Sequence, residues 1–423
     1  MTGYKSPRLL LKVAAVVGAA SLILAACGGS SGSSSGSAPI RIGALFPTSG
    51  TLAALGTVSA QGANLAVQLT NDDGGINGRK IELVSGDAST AATAVSEATR
   101  LTTKEGLHVV LGTYASDLSL AASAAAARSG ALYWETDAIS DELTSRGLKN
   151  FFQFPYQASS NGSTAADLIK DVVNPALGHP AKVIVVHNDS SYGALVASGA
   201  EKQATADGLT VLGNLSYPTN TNDQSALALR IGQAAPDAVI AASYQNDAVL
   251  LQNSMRQQNV NVAAFVGTGG IYGLPAFGTA LGKSVNGIFD TEGSADVPPS
   301  TLTPDAQKLR VRFVNSWKQS HNNEDPTFLP TIAFDATWVL LHDVLATAKS
   351  DNPADLSKAA QAIDLPIGSS ILGYGVKFNS NGLNTRSFVI GSQWQNGKLS
   401  VVYPKKYALG PATSVPLPPW SAR

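Results

Sequence analysis

The residues of this 423-residue chain that could do chemistry are few: five histidines, one cysteine and a scatter of acids among 30 Asp+Glu. His108, His179, His187, His321 and His342 never stand at H-x-x-x-H spacing, so a helical zinc pair lacks its ligands. His187 follows an apolar run and reads as a structural histidine close to a strand end. The lone cysteine, Cys27, excludes a disulfide framework and a multi-cysteine metal site. Gly32-Ser33-Ser34-Ser35-Gly36 has the letters of a nucleophile elbow, but that elbow needs a strand before it and a helix after it. Here it lies inside GGSSGSSSGS, a tether composition. Gly278-Thr279-Ala280-Leu281-Gly282-Lys283-Ser284 puts three residues between its glycines where a phosphate-wrapping loop needs four, and it reads as a surface loop. Gly267-Thr268-Gly269 has no third glycine at dinucleotide spacing, because Tyr272 stands there. Asp137 and Asp290 could converge as a carboxylate pair for hydrolysis, yet nothing else in the sequence asks for that chemistry.

Composition narrows the classes further. With 44% hydrophobic and 14% charged residues, the chain can fill two or three domain cores. Its 29 Lys+Arg against 30 Asp+Glu leave no basic surface for nucleic acid. Outside the first 26 residues no apolar run reads as long enough to span a membrane. The start is different. Lys5, Arg8 and Lys12 precede an apolar stretch from Val13 to Leu24, too short to span, and then comes Leu24-Ala25-Ala26-Cys27. This resembles the bacterial lipobox, which implies acylation of the Cys27 thiol and cleavage before it. Residues 1–26 would be a lipoprotein signal peptide and 27–38 an acylated cysteine on a Gly/Ser tether. Cleavage would leave 26 basic and 30 acidic side chains, a formal charge of −4. The expected place is the extracytoplasmic face of the cell membrane, held through the lipid on Cys27.

From Pro39 onward short apolar runs alternate with helical patterns. Strands are expected at 40–46, 80–84, 108–112 and 131–135, with helices at 60–71, 93–104 and 118–128 between them. Residues 151–154 close that series. A second begins at 182–187, where Val183-Ile184-Val185-Val186 is typical of a strand buried on both faces. Strands at 211–217, 238–243 and 263–268 follow, separated by helices at 193–207, 223–234 and 248–257. The rhythm predicts α/β architecture with parallel sheets, in two lobes of about 120 residues. Helices near 303–320 and 331–348, an edge hairpin of 376–378 with 387–394, and a Pro-rich extended tail from 411 complete the chain. Open α/β sheets bind ligands outside the carboxyl ends of their strands, so two facing lobes would hold one in the cleft between them.

Several segments then resemble one family, the type I periplasmic binding proteins of the Leu/Ile/Val-binding branch. They are Ile40-Arg41-Ile42-Gly43-Ala44-Leu45-Phe46-Pro47-Thr48-Ser49-Gly50, Asp73-Gly74-Gly75-Ile76-Asn77-Gly78, Glu142-Leu143-Thr144-Ser145-Arg146-Gly147, Val186-His187-Asn188-Asp189-Ser190-Ser191-Tyr192-Gly193 and Asn379-Ser380-Asn381-Gly382. The resemblance implies two doubly wound, Rossmann-like lobes joined by a three-crossing hinge. Lobe one would be 39–157 plus 290–386, lobe two 158–289 plus 387–410, with a Pro-rich tail at 411–423. It implies a monomer without cofactor or metal, not an enzyme, that closes on a small solute and delivers it to an ABC permease. The solute implied is an amino acid of branched-chain type or a related amide. An aromatic acid or polyol-like solute, or a sensor in place of a transporter, stays open at this point.

Carried over residue by residue, the resemblance implies ligand contacts at Tyr114, Ala115 and Ser116, where helix-terminal amides favour a carboxylate. Ser116 or Asp117 could equally be a helix cap. Asp137 and Ile139 stand at the lip of the next strand, and Asp137 could meet a cation or hydroxyl or cap the turn. Tyr192 and Tyr244 match aromatic contacts from lobe two. Gly269 stands where amino-acid binders carry an acid for the ligand ammonium, and Leu55 where they often carry an aromatic. Either Asp137 supplies the missing charge or the ligand is not an α-amino acid.

Overall fold

Apolar runs become buried strands wherever helices can cover them on both sides, and all nine strands expected between Ile40 and Thr268 form. The computed structural model describes residues 38–269, 271–293 and 296–423. The leader, Cys27 and the tether lie outside the described residues.

The first sheet contains β1 (Ile40–Phe46), β2 (Ile81–Asp87), β3 (Val109–Gly112), β4 (Leu132–Glu135) and β5 (Phe151–Gln153). All pairs are parallel, in the order β2-β1-β3-β4-β5. Its first helices are α1 (Ala53–Asp72), α2 (Ala91–Thr99), α3 (Ser116–Arg128) and the short α4 (Glu142–Ser145). The chain then crosses to the second lobe through α5 (Ala158–Leu168) and α6 (Asn174–Leu177).

There β6 (Lys182–Asn188), β7 (Thr210–Tyr217), β8 (Ala238–Ala242), β9 (Ala264–Thr268) and β10 (Phe289–Glu292) make the parallel part of a seven-stranded sheet. Between them run α7 (Ser191–Ala206), α8 (Ser225–Ala234), α9 (Gln245–Gln257) and α10 (Pro275–Leu281). A return to lobe one supplies α11 (Pro304–Ser320), α12 (Phe328–Val339) and α13 (Pro353–Ala362). The last crossing brings β11 (Ile390–Gln395) and β12 (Lys398–Tyr403) antiparallel onto β10, giving the order β12-β11-β10-β9-β8-β6-β7.

Several expectations need correction. The edge hairpin is not 376–378 with 387–394 but β11 with β12, turned by Asn396-Gly397 at φ 52° and 75°. Those angles suit a two-residue type I′ turn. Val376 and Phe378 instead make single bridges to Leu365 and Asn384. The return to lobe one falls after Glu292 and not before Asp290, because Phe289–Glu292 is hydrogen-bonded between β9 and β11. The segment read as a surface loop at 278–284 is the end of α10 and a 3-10 turn, with Gly278 seated against Trp394. Among the described residues one run outside the leader, Phe328–Leu345, is long and apolar enough to cross a membrane. It is α12 with a π-helical extension, 78% buried against α1 and its neighbours, so its apolarity serves the core of lobe one. The tail from 411 is docked on lobe two: Leu417 N–H donates to Ala263, and the Trp420 indole N–H donates to Val260 O at 2.7 Å.

Candidate functional site

The carboxyl ends of β3 and β4 carry the turns with Tyr114–Ser116 and Thr136–Ile139. Those of β6, β8, β9 and β10 carry Ser190–Tyr192, Tyr244, Gly269 and Glu292. The two edges meet. Ser140 Oγ lies 2.9 Å from Ser191 Oγ, and the Ser191 N–H donates to the Asp117 carboxylate across the lobes. Ile139 shares an apolar cluster with Tyr192, against which Tyr244 packs. The Tyr114 hydroxyl, pushed well up by burial, sits among Tyr244, Asp137, Glu292 and Asp247.

Helix α3 opens onto this meeting point. Its N-cap is Ala115 in an extended conformation, and no side chain caps it. Neither Ser116 nor Asp117 is the cap, which corrects that alternative: Ser116 is the first helical residue, and Asp117 turns to Ser191. Ser116 Oγ accepts the Ser140 N–H at 3.1 Å, so its own hydrogen is left to donate. An uncapped helix start with an inward hydroxyl is a built acceptor for an anionic group.

Asp137 does not cap the turn that follows it; two hydroxyls hold its carboxylate. Its Oδ1 accepts the Ser59 hydroxyl at 3.0 Å and its Oδ2 the Thr136 hydroxyl at 2.6 Å, tying the β4 loop to α1. Burial pushes its carboxyl well up, with Glu135 adding to the effect. It does not pair with Asp290 either, whose carboxyl meets Glu292.

Glu135, missed in the sequence, anchors both turns of lobe one. It accepts the Ser119 hydroxyl and the backbone N–H groups of Thr113 (3.3 Å), Asp137 (3.0 Å) and Ala138 (2.8 Å). Burial pushes it up to about 7. The Trp134-Glu135-Thr136-Asp137 string carried the signal, an acid at a buried strand end next to several backbone donors.

In lobe two the Tyr192 and Tyr244 rings stack, centroids 5.9 Å apart. Tyr192 Oη lies 2.8 Å from Thr268 Oγ1. Gly269 has φ +89°, and a Cβ there would fall 2.0 Å from Tyr192 Oη. The volume an acid would need at 269 belongs to the tyrosine. Leu55 is buried near the start of α1 in the apolar cluster that holds Tyr114. His187 ends in a 2.7 Å contact from Nδ1 to Asn188 O, a structural role. An interlobe cavity of about 1380 Å³ is lined by Gly273, Glu292 and Trp394 from lobe two and by Arg310, Phe313 and Phe328 from lobe one; none of Tyr114, Ser116, Asp137, Tyr192 and Tyr244 is in its wall.

A family model described as periplasmic binding protein matches residues 39–398. The chain belongs to that family. Within it the chain falls in the Leu/Ile/Val-binding branch of the type I proteins. This periplasmic binding protein is 35% identical over 376 residues to Leu/Ile/Val-binding protein homolog 8 of Brucella abortus (strain 2308), covering 88% of this chain and 92% of the relative. Its fold is similar to the branched-chain amino acid transporter substrate-binding protein LivJ of Streptococcus pneumoniae, solved in complex with isoleucine. That match has TM-score 0.73 and 24% identity, over 86% of this chain and 100% of the other. A solute-binding protein of R. palustris, solved in complex with benzoate, matches with TM-score 0.72 and 22% identity over 89% and 97%. The family is one of substrate-binding proteins and implies an extracytoplasmic location for this periplasmic binding protein.

Proposed function

We propose that this periplasmic binding protein captures a neutral amino acid of branched-chain type, or a related amide, between its lobes and delivers it to an ABC permease. It works by binding without chemistry: contacts to both lobes stabilise the closed form and shift a pre-existing open–closed equilibrium. The observation that carries this reading is the uncapped start of α3 with Ser116 beside it, a seat for the solute carboxylate. Similar folds hold isoleucine in one protein and benzoate in another, so the fold does not choose between them. The cleft's own charges favour the amino acid. Glu292 lies near Tyr114 and lines the cavity with Asp290 buried behind it, so a bare carboxylate would meet acids, whereas a zwitterion offers Glu292 an ammonium.

Calorimetric titration with L-leucine tests this seat. Ser116→Ala is expected to weaken binding about 10- to 150-fold, the loss of one hydroxyl bond to a charged group. Its cost to the ligand-free protein should be about 1–3 kcal/mol, for the buried Ser140 N–H left without its acceptor. Unchanged affinity in this variant would place the solute elsewhere. We also propose that acylated Cys27 anchors the protein on the outer face of the cell membrane, supported by the Leu24-Ala25-Ala26-Cys27 pattern. Cys27→Ser should then leave membranes on a carbonate wash, and a variant that still pellets removes the anchor from the reading.

A further inference from the structure

The acid absent at Gly269 has a neighbour one strand away. In the parallel register of β9 and β10, Thr268 stands beside Thr291, so the next pair along is Gly269 and Glu292. Glu292 is 4% exposed and lines the interlobe cavity, and Asp290 behind it is fully buried. Both carboxyls converge on Gly273: a Cβ there would lie 2.6 Å from Glu292 Oε1 and 2.7 Å from Asp290 Oδ2. A side chain at 273 would close this notch, and glycine leaves it open to the cavity.

The pair differs from every other acid around Tyr114. Asp137 has its two hydroxyl donors. Asp247 accepts from Tyr217 Oη at 2.8 Å and from Asn188 Nδ2 at 3.4 Å. Asp290 and Glu292 face each other, and beyond that contact neither Asp290 oxygen nor Glu292 Oε2 receives a donor among the described residues. Arg310, the guanidinium on the cavity wall, already donates to the carbonyls of Ile371 and Val297. Buried acceptors without donors are rare and costly in native proteins, and an incoming donor satisfies them.

We propose that Glu292, backed by Asp290, accepts the cationic nitrogen of the solute, so that this protein selects ammonium-bearing solutes through β10 and not through the turn after β9. The inference rests on the cleft being the solute site. An ammonium in the Gly273 notch would make charge-assisted hydrogen bonds to the pair from lobe two, while α3 of lobe one holds the carboxylate. One solute would thus bridge the lobes with its two charges.

Two probes of one carbon skeleton separate the terms: L-leucine, and 4-methylpentanoate, which lacks only the ammonium. By calorimetry the wild type should bind leucine the more tightly. Glu292→Gln should lose leucine affinity by at least about 30-fold while holding 4-methylpentanoate within about 3-fold. Gly273→Ala, which plugs the notch and leaves both acids in place, should lose leucine affinity by about 10-fold or more, and it serves if the glutamine variant does not fold. Leucine affinity unchanged in both variants overturns the role of Glu292 and leaves the amino-acid reading standing. A wild type that binds 4-methylpentanoate as well as leucine overturns this inference alone. A wild type that binds neither overturns both.

Discussion

Glu135→Ala should destabilise the ligand-free protein by about 3–5 kcal/mol, the largest effect expected of any single change at the site. The side chain is fully buried and takes four donors, three of them backbone N–H groups of the loops that carry the cleft. Truncation leaves those donors without an acceptor inside lobe one. Thermal or urea unfolding of the variant beside wild type reads this directly, and a loss below about 1 kcal/mol would mean that water replaces the carboxylate at little cost. Leucine affinity should fall with stability, because Thr113 precedes Tyr114 and the Asp137 loop faces it. The same residue gives a pH slope. Its carboxyl is held at about 7, above its ordinary value of 4.5. The folded form therefore binds the proton more tightly than the unfolded chain does. The resulting stability is complete below the ordinary value and is lost as pH rises through about 7.

Restoring an acid at 269 should damage the protein instead of improving it. Gly269→Glu forces a side chain onto a residue at φ +89° and drives its Cβ into the Tyr192 hydroxyl. The left-handed backbone costs roughly 1–2 kcal/mol and overpacking roughly 1–3 kcal/mol more. The Tyr192–Thr268 hydrogen bond and the Tyr192–Tyr244 stack would both be displaced. Leucine binding is expected to weaken at least about 10-fold, together with a lower melting temperature. Tighter leucine binding by this variant would show that the turn after β9 can host the ammonium and that Tyr192 yields its space.

The architecture was legible because parallel strands covered on both faces must be apolar along their length, as in Val183-Ile184-Val185-Val186 and Ala238–Ala242. The ends of the expected helices were readable to within a few residues, except at α1, which starts at Ala53, seven residues before the expected start at 60. The hairpin was misplaced although its signal was present: Asn396-Gly397 between two alternating segments is a strong two-residue turn. The letters of Gly282-Lys283-Ser284 drew attention to a loop where Pro275 starts a helix. Tyr114, Ser116, Tyr192 and Tyr244 were singled out because each follows a strand end, and the fold brings those ends together. Glu292 was not, because its place beside Gly269 depends on the register between β9 and β10, which residues 23 positions apart do not reveal. Asp137 was singled out for a cation or hydroxyl of the solute, and the sequence did not show the side chains that hold its carboxylate in the fold. Ser59 of α1, which satisfies it, is 78 residues away in sequence.

The measurement that bears most directly on the central claim is a thermal-shift screen of the wild-type protein. Leucine, isoleucine and valine would be set against aliphatic amides, benzoate and sugars. A solute at a hundred times its dissociation constant adds about 2.7 kcal/mol of stability, a readily visible shift. Stabilisation by a neutral amino acid, with benzoate and sugars inert, is the expected result. Stabilisation by benzoate alone would contradict it, and would mean that the acids around Tyr114 admit an anion without an ammonium to meet them.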